Sequence, residues 1–194
     1  INNSIHQFKF DRDPEEPIFR FNERSLVYFG VDLFECVMTT KLAKGGTYFL
    51  PFNQGSNGAG NVGGAGNPNS QDGFGTAYLW EKVLCKESLL EILQKYMHLD
   101  YAPTKSWRTG KMIFPRYHQL DAVTKLVADA KKNGSGKNYL IQHSAGSGKS
   151  NSIAWLAYRL SSLHDNNDNK VFDSVIVVTD RKVLDSQLQN TIYQ

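Results

Sequence analysis

The sequence predicts an α/β chain in two unlike parts, and three observations carry that reading. In the first half, runs rich in β-branched and aromatic residues follow one another at 26–30 (LVYFG), 34–42 (FECVMTTKL) and 47–52 (TYFLPF), separated by Gly and Asp. They read as three consecutive strands of a mostly antiparallel sheet. In the second half, Tyr139-Leu140-Ile141 enters a glycine-punctuated turn ending Gly148-Lys149-Ser150, and Ile153, Leu156, Ala157, Leu160 and Leu163 follow at helical spacing. Beyond them, 175–178 (VIVV) is an unbroken β-branched run, the pattern of a parallel strand buried on both faces. The order strand, turn, helix, strand, helix predicts a parallel sheet covered by helices on both sides, with ligand groups at the carboxyl ends of its strands.

Composition narrows the class. Of 194 residues, 40% are hydrophobic, enough for a core, and 21% are charged. The net charge of +3 permits a nucleic-acid partner without arguing for one. Cys36 and Cys85 are far apart, lack metal-ligand spacing and have apolar neighbours, so both are expected to be buried free thiols in a reducing, cytoplasmic setting. No run approaches the ~18 apolar residues of a membrane span, and INNSIHQFKFDRD has no apolar signal core. The chain opens on Ile1 rather than Met and closes at Gln194 within a helix-like pattern. We expect it to be a piece of a longer protein.

Taken in order, residues 1–25 show little periodicity; Ile18, Phe19 and Phe21 hint at a strand, moderated by Pro14 and Pro17. After the three strands, whose aromatics are expected in a core, residues 53–75 are almost wholly Gly, Asn, Ser and Ala. They have nothing to bury, and a flexible loop is expected. Residues 76–84 and 88–98 read as helices. The second would have Ser88 as N-cap, Glu91 completing a capping box, and an apolar face of Leu89, Leu90, Leu93 and Met97. Residues 99–113 read as a linker; its Lys105, Arg108 and Lys111 are ordinarily solvated, with contact to DNA the alternative. A helix follows to about Lys132, with Pro115 in its first turn, Leu120, Val123, Leu126 and Val127 inward, and Asn133-Gly134-Ser135-Gly136 ending it. A last helix is expected from Lys182, with Leu184, Leu188 and Ile192 on one face.

The stretch 138–150, NYLIQHSAGSGKS, carries the chemistry. Strand, glycine-rich turn and helix is the context of a phosphate-binding loop. Glycines let the backbone bend and approach the ligand. Backbone N–H groups then bind phosphate oxygens, and the helix dipole favours the anion. Lys149 would reach the β- and γ-phosphates, and the Ser150 hydroxyl would ligate Mg²⁺. The full pattern has glycine where this chain has His143. The structural alternative is a glycine-rich turn that binds nothing.

Three blocks now stand in order: RYHQ at 116–119, HSAGSGKS at 143–150 and VVTDRKVLDSQ at 177–187. Together they resemble the first RecA-like motor domain of superfamily 2 helicases and translocases. More closely, IFPRYHQLDAV, YLIQHSAGSGKSNSIAWLAYRLSSL and VVTDRKVLDSQL, with LVYFGVDLFECVMTTKL, YFLPFN, GAGNP and YLWEKVL before them, resemble the R (HsdR-type) subunit of type I restriction endonucleases. In that subfamily histidine is usual at the position of His143. The resemblance implies residues 1–54 as the β-rich end of a restriction-nuclease domain, 55–75 as a flexible Gly-rich loop, 76–113 as a helical linker and 114–194 as the start of a RecA-like ATPase domain. It implies ATP and Mg²⁺ as cofactors, and double-stranded DNA, methyltransferase and specificity subunits as partners. Gln119, with Arg116 nearby, would read adenine. His143, Ser144, Ala145, Gly146, Ser147, Gly148, Lys149 and Ser150 would hold the triphosphate, and Ser150 the metal. Thr179 and Arg181 would touch the DNA backbone, and Gln187 more weakly. No Glu-x-Lys and no Asp-Glu occurs, so the nuclease carboxylates and the acidic Mg²⁺ motif are expected upstream and downstream of this chain. Another superfamily 2 helicase or translocase, or a phosphate-loop kinase of small molecules, is the alternative.

Overall fold

The computed structural model describes residues 1–70, 73–101 and 105–179. The helix expected from Lys182, together with Arg181 and Gln187, lies outside the described residues. The chain forms two compact units, Ile1–Tyr117 and His118–Gln194.

In the first unit, three antiparallel strands pair in chain order: β1 (Tyr28–Val31), β2 (Cys36–Thr39) and β3 (Leu50–Pro51). They overlap the three runs read from the sequence but are shorter, and β1 continues one position past its run, to Val31. Tyr28 faces Thr39, Val31 faces Cys36, and Met38 faces Leu50. Asp32 makes the β1–β2 turn. Its Oδ1 accepts from the backbone N–H groups of Phe34 and Glu35 at 2.8 and 2.7 Å, the local bonding that suits Asp to turns.

The core is aromatic. Phe52 is fully buried and its ring meets Phe29, Phe114 and Tyr117 at 5.2, 6.2 and 6.0 Å. Tyr78 stands edge-on to Tyr117 at 4.9 Å, and its hydroxyl donates to the carbonyl of Phe52. Cys36 is a buried free thiol, as expected. Cys85 is not buried; it is half-exposed, its Sγ 3.2 Å from the carbonyl of Lys82.

The Gly-rich stretch is laced by its own polar groups. Gly55 N–H donates to Gly66 O and Ser56 N–H to Gly64 O, while Gly64 N–H returns to Ser56 Oγ at 2.7 Å. Asn67 ties the base of the loop. Its Oδ1 accepts from Gln54 N–H at 2.8 Å, and its Nδ2 donates to Phe34 O and Asn53 Oδ1 at 2.8 and 3.0 Å.

Several local expectations are corrected. Residues 1–25 begin with a helix, α1 (Asn2–His6), extended by a π-helical turn at Gln7–Asp11. Its support is remote: a Cβ on Gly30 of β1 would stand 3.3 Å from Ser4 Cβ, so the bare glycine admits the helix. Residues 76–84 form only a π-helical turn, Leu79–Val83. The next helix, α2 (Lys86–Lys95), starts earlier than Ser88, so Ser88 lies inside it; Cys85 is the N-cap, with no side-chain cap bond. Its face centres on fully buried Ile92, while Leu90 and Leu93 are exposed. The linker at 99–113 holds a second sheet, β4 (His98–Asp100) against β5 (Lys111–Ile113), with His98 facing Ile113 and a 3₁₀ turn at Trp107–Thr109 between them.

Among its described residues the second unit holds two helices. Helix α3 (Tyr117–Asn133) buries Leu120, Val123, Val127 and Ala130. It stops where Gly134 turns left-handed at φ 68° and returns its N–H to Ala130 O, the C-terminal use of glycine. Pro115 lies before the helix rather than in its first turn. Helix α4 (Lys149–Ser161) follows the glycine turn as expected, but its buried side chains are Ala154, Trp155 and Arg159, and Ile153 is exposed.

The parallel sheet is not formed among the described residues. Residues 139–141 and 175–178 belong to no strand, and Leu140, Ile176 and Val178 are 92%, 83% and 86% exposed. Apolar composition prepares a run for burial, but a strand exists only when a neighbour takes its N–H and C=O groups. Neither run has such a ladder here.

Candidate phosphate-binding site

The turn before α4 supplies the backbone geometry a phosphate needs. Gly146 and Gly148 are both left-handed, at φ 72° and 79°, a region that costs other residues energy. Gly148 is the N-cap of α4, and its carbonyl accepts the first helical N–H groups, from Asn151 at 3.1 Å and Ser152 at 3.4 Å. A Cβ on Gly146 would meet nothing within 4 Å, so the loop is open at that point. The unsatisfied amides of the first helical turn and the dipole of α4 favour an anion there.

Lys149, the first residue of α4, is exposed and folds back over the loop. Its Nζ donates to the carbonyls of His143 at 3.1 Å and Ser144 at 2.7 Å. An ammonium held by two neutral carbonyls is ready to exchange them for phosphate oxygens, whose full charge makes stronger bonds. Ser150 is half-buried in the first turn of α4. One hydroxyl suits Mg²⁺, which takes few protein ligands and completes its shell with phosphate and water.

His143, at the position that departs from the full motif, is half-buried with Nδ1 shielded from solvent and unbonded. Its pKa is held below the ordinary histidine value, first by burial and then by the positive charge of Lys149. It is therefore neutral at pH 7. Ser147 is buried; Ser144 and Ala145 are exposed. Behind the loop, a cavity of ≈ 200 Å³ has mostly aliphatic walls, among them Val123, Leu126, Ile141 and Leu156.

Helix α3 reaches the same turn. Gln119 is 2% exposed and its Nε2 donates to Gly148 O at 2.8 Å. Its neighbour His118, which the sequence reading passed over, places Nε2 2.9 Å from Ser147 O and its ring edge-on to His143 at 4.7 Å. The one available signal was its position inside the RYHQ block beside Gln119.

Arg116 is half-buried in the first unit. Thr179 is half-buried and outside any strand, and Arg181 lies outside the described residues. In the first unit, Arg108 stands 3.8 Å from Glu23 and 5.1 Å over the Trp107 ring.

Among the described residues no helix is long and apolar enough to cross a membrane. Neither a curated protein nor a solved structure matches the chain. Residues 118–194, the span of the second unit, match the SWI2/SNF2 ATPase family, so this part of the chain is similar to a superfamily 2 ATPase motor.

Proposed function

We propose that the second unit binds ATP with Mg²⁺ as the opening part of a RecA-like motor lobe. The observation that carries this is the Gly148–Lys149–Ser150 turn: a left-handed glycine capping α4, with a cation and a hydroxyl in the helix's first turn, inside a span that matches an ATPase family. Lys149 would balance charge on the β- and γ-phosphates, and Ser150 would ligate the metal. Bound Mg²⁺ would neutralise phosphate charge; the chain's own residues orient the triphosphate.

The likeness of the sequence blocks to type I restriction R subunits supports a finer reading. In it, the whole protein is a cytoplasmic, double-stranded-DNA translocase that also cleaves DNA and works with methyltransferase and specificity subunits. Residues 1–54 would close its nuclease domain, 55–75 and 76–113 would be a flexible loop and linker, and Thr179 and Arg181 would contact the DNA backbone. The family matched over 118–194 supports the coarser superfamily 2 ATPase motor, and another superfamily 2 helicase or translocase is the alternative.

Titration calorimetry with Mg²⁺-ATP tests the nucleotide reading. The chain is expected to bind, and Lys149→Ala to abolish binding; equal affinity in the variant would refute the assignment. The restriction reading is tested on the full-length protein, where ATP hydrolysis stimulated by DNA and ATP-dependent DNA cleavage are both expected.

A further inference from the structure

We infer that His118 is a positioning residue of the phosphate loop, which it holds in its anion-binding shape through the carbonyl of Ser147. This deepens the nucleotide reading above and rests on it. The argument begins with the peptide group. A trans peptide is planar, so the C=O of one residue and the N–H of the next point in opposite directions. The carbonyl of Ser147 is only an acceptor, so His118 must donate to it through Nε2–H, at 2.9 Å. Fixing that carbonyl toward α3 turns the N–H of Gly148 away from α3. One step later, Gln119 holds the carbonyl of Gly148 at 2.8 Å, and the Lys149 N–H is turned in the same manner. Two adjacent side chains of α3 thus set two successive peptide planes of the loop.

The two anchors are not equivalent. Gly148 O also accepts from the amides of Asn151 and Ser152, so the start of α4 orients that plane even without Gln119. The Ser147–Gly148 plane lies outside the helix and takes its direction from His118. The imidazole is itself braced, standing edge-on to His143 with an interplanar angle of 79°. Gly148 needs such an external hold, because left-handed glycine has wide backbone freedom.

The test compares His118→Phe, which keeps a ring against His143 but has no donor, with His118→Gln, which restores one. Calorimetry uses Mg²⁺-ATP, Mg²⁺-GTP and inorganic tripolyphosphate, and amide NMR of the nucleotide-free protein follows Gly148. His118→Phe is expected to move the Gly148 amide resonance and to weaken all three ligands by a common factor, roughly tenfold, the worth of one hydrogen bond. His118→Gln is expected to recover most of that loss. A Gly148 amide unmoved in His118→Phe would overturn the inference whatever the loop binds. So would a loss confined to ATP with tripolyphosphate unaffected, which would make His118 a reader of the base. Failure of the nucleotide reading shows separately, as binding that survives Lys149→Ala.

Discussion

Gln119 Nε2 donates to the carbonyl of Gly148 at 2.8 Å and also stands 2.5 Å from where a Cβ on Gly148 would be. The glycine is therefore required twice, for its left-handed φ of 79° and for the room it leaves a buried amide. Gly148→Ala is expected to cost ~1–2 kcal/mol in backbone strain alone, and more from the clash. Denaturant unfolding measures the sum. Gly148→Ala should cost less in a Gln119→Ala background than in the unaltered chain, by the clash and not the strain, whereas an equal cost in both backgrounds would show that the amide does not crowd this position.

His143 should titrate below the ordinary histidine range. Burial is the larger cause and the charge of Lys149 the smaller, so in Lys149→Gln the pKa should rise only part of the way. The folded state then binds fewer protons than the unfolded chain. The stability His143 contributes is complete above the unfolded value of about 6.5 and is lost as pH falls through the depressed folded value. Proton-detected titration of the ring in both proteins checks this.

Asn67→Ala removes two donated bonds and one accepted bond at the base of the Gly-rich loop. The N–H of half-buried Gln54 loses its partner, at a cost of about 1–3 kcal/mol, while the exposed carbonyl of Phe34 turns to water. Cleavage by elastase near Val62, which is 97% exposed, should become faster than in the unaltered chain.

The two thiols should react very differently. Burial pushes the Cys36 thiol up to about 12, leaving roughly 10⁻⁴ of it as thiolate at pH 8. Half-exposed Cys85 is expected to take up iodoacetamide first, and mass spectrometry of the partly alkylated protein should find label there and not on Cys36.

What was legible in the sequence was whatever local chemistry decides. The glycine turn, the helix after it and the Gly134 stop follow from residue types within a few positions of one another. The order of β1, β2 and β3 was readable because Gly and Asp separate runs of suitable composition. The rest depends on distant partners. Helix α1 packs beside the distant Gly30, and β4 and β5 are three-residue strands that only their mutual pairing defines. The capping box at Ser88 was a valid pattern overruled by an earlier helix start. The bond from His118 to Ser147 joins residues 29 apart, and no spacing rule announces it. For 139–141 and 175–178 composition pointed to strands, but pairing is a property of two segments, and composition describes one.

Those unpaired runs bear on how the protein behaves at high concentration. Residues 174–179, SVIVVT, are uncharged and rich in β-branched side chains, and Ile176 and Val178 are turned to water. With backbone edges open as well, such a segment is a template for strand-to-strand association between molecules. The acids Asp173 and Asp180 flank it in the sequence, where charge repulsion opposes stacking. Salt screens that repulsion, so light scattering should rise with ionic strength as well as with protein concentration, and Val177→Lys should suppress both trends.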